Sequence, residues 1–164
     1  MKVSSYQQPA PWLLLVFTLP TAKASEQVGV WRKLQRYGTV QLPASGYVLP
    51  NNSVNQERFE WLATSIRNSK GQAAVALVAS FDELRNEQLE QMFSDARTRE
   101  YQRIEKELKK LGNTARRGGD EATLVRFKRR LQQIAEIDFF GSPARAWLRG
   151  HATARNQGQH EANN

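Results

Sequence analysis

Cysteine is absent from the 164 residues. That excludes disulfides, thiolate nucleophiles and Cys-ligated zinc, and it leaves the redox compartment open. Histidine is scarce: His151 and His160 both lie in the polar end of the chain, and no His/Asp/Glu group elsewhere has metal-ligand spacing. No metal site is therefore expected. A glycine-rich dinucleotide loop is also missing, because Gly118-Gly119 is too slight to cradle a phosphate. With no thiol and no flavin or nicotinamide signature, neither a cofactor nor an enzymatic activity is expected. Long apolar runs are lacking too. Trp12-Leu13-Leu14-Leu15-Val16-Phe17-Thr18-Leu19 spans eight residues, far short of a bilayer, so no membrane partner is expected.

That run has two readings. Ala22-Lys23-Ala24 behind it resembles a signal-peptidase site, which would make the protein secreted. Against this, the preceding segment carries only Lys2, is long and polar, and contains proline, and Pro20 stops the run. A buried strand in a cytoplasmic protein is the preferred reading.

What the chain does contain is enough for one folded domain: 40% hydrophobic residues, with four Trp and seven Phe. Only residues 151–164 have the composition of a disordered tail. The net charge of +8 is uneven. Residues 1–100 hold 11 Lys/Arg against 9 Asp/Glu, whereas residues 101–164 hold 13 against 7. Such asymmetry favours an anionic partner, nucleic acid foremost; a solvated helix surface is the alternative.

Periodicity orders the elements. After the first strand, Ser25 is a candidate cap for a helix ending at Gly38, with Val30, Leu34 and Tyr37 on its apolar stripe. Thr39–Leu42 and Tyr47–Leu49 flank Pro43-Ala44-Ser45-Gly46 as a hairpin. Ser53 or Asn55 caps a second helix whose buried face is Phe59, Leu62 and Ile66, and Lys70-Gly71 closes it. Residues 73–78 read as a fourth, buried strand. The order β-α-β-β-α-β predicts an α+β, ferredoxin-like split βαβ core over residues 12–80. Beyond it, Asp82 is the candidate cap of a helix carrying Leu89, Met92, Phe93, Ala96, Ile104, Leu108 and Leu111, with Glu105 and Lys109 paired at i,i+4. A basic turn over residues 112–119 leads to a last helix bearing Leu124, Phe127, Leu131 and Ile134. The two helices predict an antiparallel hairpin over residues 82–140, ended by Asp138-Phe139-Phe140-Gly141-Ser142-Pro143.

Four of these segments carry a family likeness. Trp12–Pro20, Val30-Trp31-Arg32-Lys33-Leu34, Gly46-Tyr47-Val48-Leu49-Pro50 and Ile137-Asp138-Phe139-Phe140 resemble the N-terminal domain of ChrB proteins, the regulators that accompany bacterial chromate-resistance genes. The resemblance covers roughly residues 12–143 and implies a transcriptional regulator of chromate resistance, acting through promoter DNA. ChrB proteins typically carry a second, C-terminal domain, to which nothing in this chain corresponds. The strand–helix–hairpin stretch is also similar to the central domain of PaaX-type repressors. Small nucleases related to that core use an acidic residue after the first strand; Phe17-Thr18-Leu19-Pro20 supplies none, so nuclease activity is not expected.

The candidate nucleic-acid contacts are Arg126, Arg129 and Arg130, which share one face of the last helix with Gln133, extended by Arg116 and Arg117 in the preceding turn. Arg32, Lys33 and Arg36 on the first helix are the candidate anion contacts for chromate, a tetrahedral oxyanion suited to guanidinium and ammonium donors, with Arg116 and Arg117 in the loop as alternatives. A homodimer is the expected state, and a dimerising interaction module without DNA binding is the competing reading. Trp31, Tyr47, Phe59 and Trp61 are assigned to core or interface, not to base stacking.

Overall fold

The computed structural model describes residues 10–20, 24–43, 46–115 and 121–145. Arg116, Arg117 and the tail from residue 151 lie outside the described residues. The chain divides into two units, residues 1–89 and 90–164.

In the first unit the apolar N-terminal run is strand β1 (Trp12–Thr18), and it lies inside the sheet. It is followed by α1 (Ala24–Tyr37), β2 (Val40–Gln41), β3 (Tyr47–Pro50), α2 (Ser53–Asn68) and β4 (Gln72–Val78). The strands form one antiparallel sheet in the order β2-β3-β1-β4. Leu13 and Leu15 of β1, Val48 and Leu49 of β3, and Phe59, Leu62, Ala63 and Ile66 of α2 are all buried. Burying side chains of that size at ~25 cal/mol per Å² supplies the main driving force for this unit.

Local chemistry sets the helix limits. Gly38 takes a φ of 74° and ends α1, as its position predicts. The cap of α2 is neither Ser53 nor Asn55 but Asn52, whose side chain accepts from Asn55 N–H at 2.9 Å. Asn55 is instead buried, donating to the Pro50 carbonyl and accepting from Arg58. Gly71 is required after α2, since a Cβ there would stand 2.5 Å from the Thr18 carbonyl of β1. Ser25 falls within the first turn of α1 and not at its cap.

Two further expectations are corrected and one is narrowed. The fourth strand is not buried. With β1 as its only neighbour among the described residues, β4 is a sheet edge whose residues are all at least partly exposed. Of the four aromatics read as core or interface, Phe59 is fully buried, and Trp31 and Trp61, 55% and 69% exposed, are outside the core. Asp82 does not cap the long helix α3, which runs Asn86–Ala115. Glu83 adopts a φ of 56°, and Gln88 Oε1 accepts from Arg85 N–H, the reciprocal half of a capping box. α3 therefore starts later than expected and passes through Gly112.

The second unit holds the rest of α3 and α4 (Glu121–Glu136). Tyr101 and Ile104 pack with Phe127 and Ile134, flanked by Leu108 and Leu131. Contacts run in opposite directions along the two segments: Phe93 meets Phe139 and Phe140, Tyr101 meets Asp138, and Glu107 meets Arg130. After α4, Asp138 accepts twice from Ser142 N–H, at 2.9 and 3.1 Å, and Thr98 shares a 2.7 Å hydroxyl bond with Ser142.

Candidate nucleic-acid interface

An α-helix turns 100° per residue, so spacing decides which side chains share a face. On α3 the buried positions Phe93, Tyr101, Ile104 and partly buried Leu108 define the inward face. Arg99, Arg103, Lys106 and Lys110, spaced 4, 3 and 4, fall within about 60° of one another on the opposite side. All four are exposed. This row of four cations was missed by reading apolar periodicity alone, although the same i, i+4, i+7, i+11 test applied to charge finds it.

The expected row on α4 splits. Arg126 and Arg129 are exposed. Arg130 folds against the helix pair instead, its guanidinium 5.7 Å from the Phe127 ring centroid and forked onto Glu107 of α3, where the second bond measures 3.3 Å. Hydrogen bonding from Arg130, and then the charges of Arg130, Arg126 and Lys110, hold the Glu107 carboxyl below the usual carboxylate range. Glu107 thus lies among cations of both helices, Arg130 through contact and Arg126 and Lys110 through their charge.

Beneath this surface lies a second polar group. Arg97 sits in the buried stripe between Phe93 and Tyr101, paired with Glu100 at 3.2 Å, and its Nε and Nη1 have no partner among the described residues. Burial lowers its pKa against the pull of Glu100 and Asp138, and burial likewise raises that of Glu100. Tyr101 donates to Asp138 at 3.4 Å; burial, with Asp138 second, pushes its phenol up to about 12. These groups are structural supports of the helix pair, and apolar periodicity skipped Arg97 because it is charged.

Arg32, Lys33 and Arg36 do share the exposed side of α1, opposite Val30 and Leu34. They lie in its C-terminal half, where cations complement the backbone dipole. A depression in the second unit is lined, among the described residues, by Thr98, Gln102, Glu105 and Ala144. The charged group among these is a carboxylate, the wrong sign for an oxyanion. No group of three or more His, Asp or Glu among the described residues is arranged to hold a metal. No helix among them is long and apolar enough to cross a membrane.

The fold and surface define an α+β protein with a basic helical face, and comparison with known proteins gives its family. The family model "Protein ChrB, N-terminal" matches residues 27–157. The chain belongs to that family. It is similar to Protein ChrB of Cupriavidus metallidurans (strain CH34), with 30% identity over 139 residues, covering 82% of this chain and 42% of that protein. The chain therefore spans less than half the length of this relative. No solved structure matches it.

Proposed function

We propose that the chain is a regulatory module of chromate resistance that contacts duplex DNA through the outward faces of α3 and α4. The observation that carries this reading is the exposed row Arg99, Arg103, Lys106 and Lys110, set opposite the buried face of α3, while α4 exposes Arg126 and Arg129. A row of cations at helical spacing can meet successive phosphates of a duplex, and it supplies affinity without reading sequence. Chromate enters through the ChrB family and its resemblance to resistance regulators. The role is binding and not turnover, in the cytoplasm where promoters lie, with a homodimer presenting the row twice. The strand order supports a ferredoxin-like split βαβ reading of the first unit, and the opposed contacts of α3 and α4 support an antiparallel helical hairpin.

The test is fluorescence anisotropy with a duplex from a chromate-resistance promoter and a scrambled duplex, across a salt series. Six phosphate contacts give a log–log salt slope of about −5. No binding to either duplex at low salt overturns the reading. Arg32, Lys33 and Arg36 are the proposed chromate contacts. Being exposed, they are expected to bind weakly and to lose chromate to excess sulfate in calorimetry, because charge and shape are all they recognise.

A further inference from the structure

We infer that β4 is a self-pairing edge: two copies of the chain join antiparallel through their β4 strands about a twofold axis at Ala76, extending one sheet across both. This is independent of the DNA reading. It starts from which backbone groups β4 leaves open. Asn51 N–H donates to the Pro11 carbonyl at 2.9 Å, so odd-numbered residues at the start of β1 turn their backbone groups toward β3. Even-numbered residues of β1 therefore turn toward β4, where their partners are also even: Thr18 with Gln72, Val16 with Ala74, Leu14 with Ala76. The odd residues Ala73, Val75 and Leu77 then point their N–H and C=O groups away from the sheet. Arg67 bears this out independently, its Nε and Nη2 reaching the Ala73 carbonyl at 3.3 and 3.1 Å.

Arg67 caps one end of the edge, and among the described residues nothing pairs with the outward backbone groups of Val75 and Leu77. A natural edge strand is usually blunted by charge, proline or a bulge. Gln72–Val78 has no charged residue and no proline, and Leu77 is 65% exposed. Centring the twofold on Ala76 uses both open residues and leaves the Arg67 cap in place. Val75 pairs with Leu77 of the second copy and Leu77 with its Val75, giving four backbone hydrogen bonds. Leu77 gains an aliphatic cross-strand neighbour on one face, and on the other two small Ala76 side chains meet at the closest approach.

Charge selects a second copy over an arbitrary peptide. The N-terminal flank of β4 carries Arg67 and Lys70, and its C-terminal flank carries Asp82 and Glu83. An antiparallel pair turns the basic flank of each copy, with Lys70, toward the acidic flank of the other, with Asp82 and Glu83, twice. A parallel pairing would lose that match.

The experiment is sedimentation velocity on the full chain over a micromolar concentration series. A species of twice the 18.7 kDa chain mass is expected. Val75→Pro deletes an N–H that points away from the sheet, so the monomer should keep its circular dichroism and melting transition while the dimer is lost. Leu77→Lys, which alters no backbone group, should also give a monomer. Lys70→Glu and Asp82→Lys should each weaken the dimer by about tenfold, and together restore it. A dimer that survives both Val75→Pro and Leu77→Lys overturns the proposal, as does a wild-type chain that stays monomeric throughout. In the second case, amide exchange at Val75 and Leu77 separates the other occupants. Protection would show the edge covered by the chain itself, and rapid exchange would leave it to an extended segment of another protein.

Discussion

The two units bury different things. In the first, the sheet and α2 enclose Leu13, Leu15, Val48, Leu49, Phe59, Leu62 and Ile66, with Asn55 and Thr39 as buried polar groups that are hydrogen-bonded. In the second, the apolar set is thinner among the described residues, and Arg97, Asp138 and Ser142 are buried among it. The surfaces differ in the same sense, since α3 and α4 carry dense cations where the sheet presents an uncharged edge strand. An apolar core specifies a shape cheaply, because each buried group needs only neighbours. A core with buried charge must satisfy each group individually. The second unit accepts that burden together with a surface of like charge, which is the arrangement expected where the surface has an anionic partner.

Reversing charge in each unit tests that division most strongly. Arg99→Glu, Arg103→Glu and Lys106→Glu together are expected to lower duplex affinity by at least about 1000-fold and to flatten the salt slope by about three. The matched change of Arg32, Lys33 and Arg36 to Glu on α1 should move affinity far less. Equal losses from the two triple variants, measured by anisotropy at one salt concentration, would mean that only net charge matters and would dissolve the distinction.

Packing changes come next. Phe59→Ala removes a fully buried ring from the apolar core and should cost about 4 kcal/mol. Phe127→Ala removes a ring that also lies beneath the Arg130 guanidinium, in a thinner cluster better able to relax, and about 3 kcal/mol is expected. Urea unfolding followed by circular dichroism measures both. A larger cost at Phe127 would reverse the comparison.

The sequence made the first unit legible because its signals are local and strong. An eight-residue apolar run stopped by Pro20, a Gly38 helix stop and the Phe59/Leu62/Ile66 stripe each point to one element, and their order set the plan of strands and helices. Burial of β4 was misjudged because an apolar run says that a strand exists, not how many neighbours it has. That is decided by pairing between residues 12–18 and 72–78, far apart in the chain. At Asn52 several adjacent polar residues could cap, and side-chain geometry chose among them. The cationic row of α3 was legible in principle. Arg97 was not, because a charged residue in a buried stripe looks like an interruption of the stripe until Glu100 and the Tyr101–Asp138 pair are seen around it.

Alkaline pH probes the buried polar group directly. Tyr101 is held up to about 12 in the folded state, against 10 for an exposed phenol. Below pH 10 both states keep the proton, and stability is unaffected. Between pH 10 and 12 the unfolded chain ionises while the folded one does not, so stability falls as pH rises, by about 2 kcal/mol at the upper end. Tyr101→Phe should remove most of that slope. Absorbance titration of the four tyrosines should likewise lose its late component in this variant. A late component that persists would assign the shifted phenol elsewhere.

The smallest effect sharpens the comparison most finely, because it sets stability against binding at one residue. Glu107 is half-exposed and forked to Arg130, so the pair contributes about 0.5 kcal/mol at neutral pH. Its carboxyl titrates below the usual range, so this contribution is present above the unfolded-state pKa and disappears as pH falls through the lowered folded value. Glu107→Gln should therefore destabilise the protein slightly at pH 7 and not at all in strong acid. The same change removes the carboxylate between Lys110, Arg126 and Arg130 and releases the Arg130 guanidinium toward solvent. If that surface meets phosphate, duplex affinity should rise by about threefold while stability falls, and the salt slope should steepen by up to about one. An affinity that drops in parallel with stability would instead make the Arg130–Glu107 fork a structural clasp, with the phosphates met elsewhere.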